Sequence, residues 1–283
     1  MEEKKKSNKG LYAIIAVLCI VVLGLGGFVV YDRFIKEDKE ENTSTTNKKD
    51  ENVKTKDKIL KETTLSNDDE IVKKLASKVI KVYPTNAIGS FDYENYIYMS
   101  DLINLEDENI RFKLSLAAES IKDSFTNDHT AMVVYVSEEK IKEAYFDLFG
   151  KDAEYTRSNF IVDDCARDYR WSKENNRYES PLIDGCGGTV LGGTYGELAY
   201  AKQIKNNAGT DIIELYEYFI NVNPSKGVYS DYNQTNLIVQ GEISDSNYSK
   251  IIKNNKDKVG MYKHKFVKDK NGTYVYTSVE KVR

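Results

Sequence analysis

The hydrophobic positions of this 283-residue chain fall into two regions with different patterns. An apolar run without a single charge covers residues 11–31, and periodic apolar positions resume at about Leu65. Because about twenty helical residues span the ~30 Å of bilayer hydrocarbon, the run predicts a transmembrane helix that contacts the lipid bilayer. Residues 32–64 are dominated by charged residues and by Asn, Ser and Thr. They predict a flexible polar linker, since such a segment buries too little apolar surface to fold.

The flanks of the apolar run predict its orientation. Residues 1–10 carry four lysines, and no small-residue cleavage pattern follows the run. Positive residues remain on the cytoplasmic side of a membrane, so we expect a short cytoplasmic tail and an uncleaved signal anchor. Residues 65–283 then form an extracytoplasmic domain held at the cell membrane.

Three segments of this domain repeat apolar residues at helical spacing. The first follows Ser66, a good helix N-cap, and ends before Pro84. The second covers residues 106–123. The third begins after Ser137 and ends at Gly150, which is typical of the position just beyond a helix.

After Gly150 the spacing of apolar residues changes to two, which is typical of strands. Three pairs of alternating segments each flank a polar turn, at Lys173–Asn176, Asn207–Gly209 and Asn271–Gly272. Helices followed by hairpins predict an α+β fold, in which the helices pack on an antiparallel sheet.

Composition excludes several classes of function. The net charge is −4, so no global basic field attracts nucleic acid. The only histidines, His129 and His264, have no second ligand at short spacing, so we predict no metal site and place both at the surface. The glycine-rich residues 185–196 match no phosphate-binding motif, and we predict no cofactor.

The cysteines outside the anchor, Cys165 and Cys186, leave alternatives open. In an oxidising compartment the pair favours a disulfide that closes a loop of about 21 residues. Two inert thiols, or a nucleophilic thiol with a nearby base, are the other interpretations. The chain order of His129, Cys165 and Arg177 resembles that of sortase transpeptidases. The Thr-Leu-x-Thr segment expected before such a cysteine is replaced here by residues 161–164.

Tyrosine is unusually abundant, with 21 copies. Tyr216 and Tyr218 are two residues apart, as are Tyr274 and Tyr276, so each pair shares one side of a strand. Aromatic side chains of this kind either pack in a core or provide a binding surface. We take these four tyrosines as the candidate binding face.

The anchor, linker and ectodomain together predict a binding or scaffold protein at the surface of a Gram-positive-type bacterium, with another membrane or cell-wall protein as its partner. This layout resembles single-anchor surface proteins of low-GC Gram-positive bacteria. The alternative is a cysteine-dependent cell-wall enzyme with sortase-like or peptidase-like chemistry. A signal transducer that acts through a second membrane protein is a third interpretation.

Overall fold

The computed structural model describes residues 59–80, 97–98, 100–162, 167–182, 193–242 and 248–283. Residues 56–283 form one compact unit. The predicted tail, anchor and most of the linker lie outside the described residues, as do Cys165, Cys186 and most of the glycine-rich segment.

The described elements are short helices and a larger number of strands. The α-helices are α1 (Glu70–Val79), α2 (Ile110–Glu119), α3 (Glu138–Phe149) and α4 (Tyr248–Asn254), and a 3-10 turn covers Lys122–Ser124. The strands are β1 (Ile59–Leu65), β2 (Leu102–Asn104), β3 (Thr126–Asp128), β4 (Val133–Ser137), β5 (Phe160–Val162), β6 (Arg167–Ser172), β7 (Arg177–Pro181), β8 (Gly193–Asn206), β9 (Asp211–Asn223), β10 (Gly227–Tyr229), β11 (Leu237–Gln240), β12 (Gly260–Lys268) and β13 (Tyr274–Lys281).

The described strands form two antiparallel sheets. In the larger sheet the order is β1-β8-β9-β12-β13-β2, and β10 pairs with both β9 and β11. In the smaller sheet the order is β3-β4-β7-β6-β5. The predicted α+β class with antiparallel strands is therefore confirmed for the described part of the chain.

All three predicted hairpins are present. β6 pairs with β7, β8 with β9, and β12 with β13. Their turns contain residues with positive φ, at Asn176 (51°), Gly209 (77°) and Gly272 (83°). Asparagine and glycine tolerate this conformation, which explains why the turns could be recognised from sequence.

The helix predictions hold to different degrees. α3 begins and ends as predicted: Ser137 Oγ accepts a hydrogen bond from the Lys140 amide, and Gly150 has φ of 88°. α1 starts later than predicted, because Asp69 occupies the N-cap while Ser66 Oγ accepts from the Asp68 amide in the preceding turn.

The other helix ends also differ. α1 ends before Ile80, which is extended, so Pro84 does not terminate it. The second predicted helix, residues 106–123, is shorter in the structure, because α2 starts after the Asn109 cap and the 3-10 turn replaces its last part.

One predicted boundary is wrong. The polar composition places residues 59–64 in the linker, but they belong to β1, which pairs antiparallel with β8. Most side chains of this strand are exposed, so no alternation of buried and exposed residues marks it in the sequence. The backbone hydrogen bonds to β8 hold it instead.

Most buried apolar residues belong to one continuous core. It receives Leu75 from α1, Leu114 from α2, Ile141 from α3, Tyr178 from the smaller sheet and Phe266 from the larger sheet. The two sheets and these three helices therefore share one hydrophobic interior. A smaller cluster lies under α4, and it contains Ile220, Val222, Val228, Ile252 and Val259.

Candidate functional site

The larger sheet has two faces, and the predicted tyrosines divide between them. Leu215 and Phe219 of β9 point into the main core, on the face we call the inner face. Tyr216 and Tyr218 alternate with them and lie on the outer face. Tyr276 is buried in the main core, and Tyr274 packs against it. The candidate tyrosine face is thus two separate pairs on opposite faces of one sheet.

An aromatic stack lies at the centre of the outer face. Tyr200 of β8 is directly opposite Tyr216 of β9, just after a register shift in β8. Their ring centroids are 4.3 Å apart with an interplanar angle of 17°. The Tyr216 hydroxyl donates to Glu214 Oε2 at 2.8 Å, and burial followed by this hydrogen bond raises the pKa of Tyr216. The two rings are therefore held in one orientation.

A row of alternating charges crosses the same face from β1 to β13. Lys202 Nζ lies 2.7 Å from Glu62 Oε1, and Lys263 Nζ lies 2.6 Å from Glu280 Oε2 and 3.8 Å from Glu214 Oε1. The lysine side chains of both pairs are partly exposed, so these ion pairs contribute little stability. Their main effect is to orient the side chains around the tyrosine stack.

The outer face is covered at one end. α4 packs there over the smaller apolar cluster, where Tyr248 meets Tyr195 at 5.5 Å between ring centroids. Ser249 Oγ donates to Glu197 Oε2 at 2.8 Å, and Tyr218 packs against the same cluster. Among the described elements, α4 forms this cover next to the paired strands β10 and β11, and its contacts do not reach Tyr200 and the charge row.

The inner face carries a buried polar network that corrects one sequence prediction. The sequence predicts His264 at the surface, but it is only 1% exposed, and the neighbouring Glu217 is fully buried. His264 Nε2 lies 3.0 Å from Glu217 Oε2, and Nδ1 lies 2.7 Å from the Tyr276 hydroxyl. Tyr98 donates to Glu217 at 3.4 Å, and Tyr262 donates to the Tyr98 carbonyl.

Packing around Glu217 depends on a glycine. A Cβ atom at Gly196 would lie 2.0 Å from Glu217 Oε1, so a larger residue fits here only if the buried carboxylate moves. Burial, followed by the charge of Glu217, raises the pKa of Tyr276 well above its ordinary value. The network is closed from solvent and satisfies its own polar atoms, which suits positioning of strands rather than contact with a substrate.

The residues of the cysteine-enzyme alternative do not converge in the described part of the chain. His129 is exposed in the loop between β3 and β4. Arg177 lies beside Ser137, at the end of β4 that is farther from the His129 loop. The five residues of this extended strand cover about 13 Å from its first to its last Cα atom. Its guanidinium lies 3.6 Å above the Tyr135 ring and bonds Glu179. Cys165 and Cys186 lie outside the described residues, so the predicted disulfide stays a prediction.

A second charged cluster joins α3 to the smaller sheet. Arg157 donates two hydrogen bonds to Glu138, at 2.7 and 2.6 Å, and covers the Trp171 ring at 4.0 Å. The guanidinium lowers the pKa of Glu138 to about 2, against the smaller opposing effect of burial. This cluster fixes the first turn of α3 against the segment that precedes β5.

Comparisons with protein-family models, with curated proteins and with solved structures gave no match to this chain. Within the described ranges, no three His, Cys, Asp or Glu side chains lie close enough to hold a metal ion. No described helix is long and apolar enough to cross a membrane, and the predicted anchor at residues 11–31 lies outside this part of the chain.

Proposed function

We propose that this chain is a single-pass, membrane-anchored binding protein of a Gram-positive-type bacterium, with its folded domain outside the cytoplasmic membrane. Its partner is another membrane or cell-wall protein, and the contact is made by the open part of the outer face. The observation that carries the proposal is the half-buried Tyr200 ring, stacked on Tyr216 within the charge row.

The physical chemistry of this surface suits a protein partner. Tyrosine is enriched at interfaces because one ring offers both apolar area and a hydroxyl group. A ring that is already stacked loses little conformational entropy on binding. Lys202 and Glu62 form an ion pair with both side chains partly exposed, so these groups can exchange partners at small cost. The partner surface we expect is polar and carries charges of both signs.

Site-specific crosslinking tests the proposed surface. Replacing Tyr200 with a photoreactive phenylalanine derivative in the full chain should give one discrete crosslinked product in intact source cells. Tyr135 is the matched control, because it is a half-buried tyrosine on the smaller sheet. The same products from both positions, or none from position 200, would argue against this surface.

Charge reversal gives an independent test of the same surface. Lys202→Glu together with Lys263→Glu should abolish the crosslink from position 200, because each substitution places like charges beside a carboxylate of the row. The control pair Lys173→Glu and Lys226→Glu changes the net charge equally at exposed positions elsewhere. The proposal is contradicted if both pairs weaken the crosslink to the same extent.

The membrane topology needs its own experiment. Protease added to intact, wall-stripped cells should remove everything after about residue 32, and the first cut should fall in the linker. Protection of the C-terminus would overturn the extracytoplasmic assignment. This experiment is independent of the crosslinking, so failure of one does not decide the other.

A further inference from the structure

A ligand-sized groove lies on a different part of the domain, where α1, the 3-10 turn, α3 and the turn between β12 and β13 meet. Its volume is about 810 Å³. Sites for small molecules commonly fall between roughly 300 and 1,000 Å³. Ile121, Ala144 and Phe146 contribute apolar surface to its lining. We call this feature the lysine groove, after the three cations described next.

Three lysines from different elements line this groove. Lys74 comes from α1, Lys140 from the first turn of α3, and Lys151 from the segment that follows α3. None of them forms an ion pair with a described residue. Lys140 Nζ donates to the backbone carbonyl of Ser124 at 3.1 Å, which directs the ammonium group toward the 3-10 turn.

The carboxylates of the groove do not balance these charges. Asp147 is already paired with the largely buried Lys78, at 2.6 Å from its Nζ. Glu143 is the other acidic lining residue. Three lysines therefore face one uncompensated carboxylate, and the groove is locally positive on a chain whose net charge is −4. A charge of this sign in a concave surface attracts anions.

The geometry of the cations limits how they hold an anion. Arginine binds carboxylate or phosphate through two parallel hydrogen bonds in one plane, whereas lysine acts as a point charge, and several lysines can contact different oxygens of one tetrahedral phosphate. The described lining of the groove contains lysines and no arginine. Arg157 and Arg177 lie elsewhere and donate hydrogen bonds to carboxylates at the smaller sheet. Phe146 adds apolar surface that can contact a non-polar part of the ligand.

We propose that the lysine groove binds a small ligand that carries a phosphate group next to an apolar portion. Phosphate of this kind occurs in soluble phosphate esters and in phospholipid headgroups. Both sources share the chemistry that the groove recognises. The experiment therefore includes one probe for each source.

Binding is measured on the full chain in uncharged detergent, by titration calorimetry. The probes are phenyl phosphate and a short-chain phosphatidylglycerol below its micelle concentration, with benzyl alcohol as the uncharged comparison. We expect at least one phosphorylated probe to bind, and benzyl alcohol to bind at least tenfold more weakly. The stronger probe identifies the source as a soluble ester or a lipid headgroup.

Variants assign the binding to the groove. The triple variant Lys74→Gln, Lys140→Gln and Lys151→Gln should weaken binding at least tenfold. Its matched control removes three exposed lysines elsewhere, by Lys173→Gln, Lys226→Gln and Lys253→Gln, and should leave binding unchanged. Far-ultraviolet circular dichroism verifies that each variant is folded.

Three results would overturn the proposal. They are equal weakening by the groove and control variants, equal affinity for benzyl alcohol and the phosphorylated probes, or no binding of either phosphorylated probe. Because the charge row and Tyr200 are untouched in these variants, crosslinking from position 200 should persist in them. The two proposals can therefore fail separately.

Discussion

Replacing Gly196 with alanine is expected to destabilise the domain strongly, because the added methyl group would occupy the space of a buried carboxylate. The new Cβ would lie 2.0 Å from Glu217 Oε1 and 2.8 Å from its Cδ atom. Glu217 is fully buried and holds His264 at 3.0 Å. The carboxylate must therefore move, and the bond to His264 is lost or lengthened.

The magnitude follows from two costs and one gain. Forcing an extra methyl group into a packed core costs about 1–3 kcal/mol. Losing a hydrogen bond to a charged group costs about 1.5–3 kcal/mol. Alanine also restricts the unfolded chain, which favours folding by about 0.4–1 kcal/mol. We expect the free energy of unfolding of Gly196→Ala to fall by about 2–5 kcal/mol relative to the unmodified protein.

Urea unfolding of residues 56–283 measures this change. The fluorescence of Trp171, the only tryptophan in the chain, reports on the smaller sheet, and circular dichroism reports on both sheets. Gly209→Ala is the control, since that glycine has φ of 77° and no atom within 4 Å of an added Cβ. It should cost only the backbone strain, about 1–2 kcal/mol.

A double-mutant cycle separates the clash from other effects. Glu217→Ala removes the atoms that the new Cβ would touch, so Gly196→Ala should cost close to zero in that background. The reasoning is refuted if Gly196→Ala costs the same with and without the Glu217 side chain. It is also refuted if Gly196→Ala alone changes stability by less than about 0.5 kcal/mol.

Three further predictions concern titration and redox state. The Arg157 guanidinium holds the folded-state pKa of Glu138 at about 2, below its ordinary 4.5, so its stabilisation is present above pH 4.5 and is lost as the pH falls through 2. Because Arg157 is half-exposed, we expect Glu138→Gln to remove only about 1 kcal/mol of the stability that depends on acid pH, measured from urea midpoints. The same loss of stability with falling pH in the variant and in the unmodified protein would contradict this. Burial raises the pKa of Tyr276, so its hydroxyl stays protonated in the folded state while it ionises in the unfolded chain above about pH 10, and the domain loses stability there. Tyr276→Phe should reduce this alkaline loss of stability, and an unchanged pH profile would refute the prediction. Intact-mass measurement of the unreduced 56–283 fragment, which lacks Cys19, should show a Cys165–Cys186 disulfide, and closing that loop stabilises the folded state by about 3 kcal/mol. Two alkylatable thiols in this native fragment would exclude the disulfide.

Local signals explain what the sequence predicted correctly. α3 was recognised because its cap, its apolar stripe and its final glycine all lie within one short segment. The turns at residues 207–209 and 271–272 contain asparagine and glycine between alternating strands. Each of these features depends on residues close together in the chain, so no knowledge of the folded structure was needed.

The candidate site depends on contacts between distant residues, and the sequence predicted it only in part. Tyr216 was singled out, but its partner Tyr200 was not, because the pairing depends on the register of β8 after a local shift. The groove lysines likewise come from separate elements. His264 was misplaced, although Tyr262 and Phe266 on either side at a spacing of two indicated the buried face of β12.

The position of β1 has a consequence for how the domain behaves as a separate molecule. β1 is the edge strand of the larger sheet, and it covers positions 201–206 of β8. A fragment that begins at residue 65 would leave those backbone amides and carbonyls open to pairing with another copy, so it should self-associate where the 56–283 fragment stays monomeric. In this way β1, which connects the linker to the domain, also protects β8 from pairing with a strand of a second molecule.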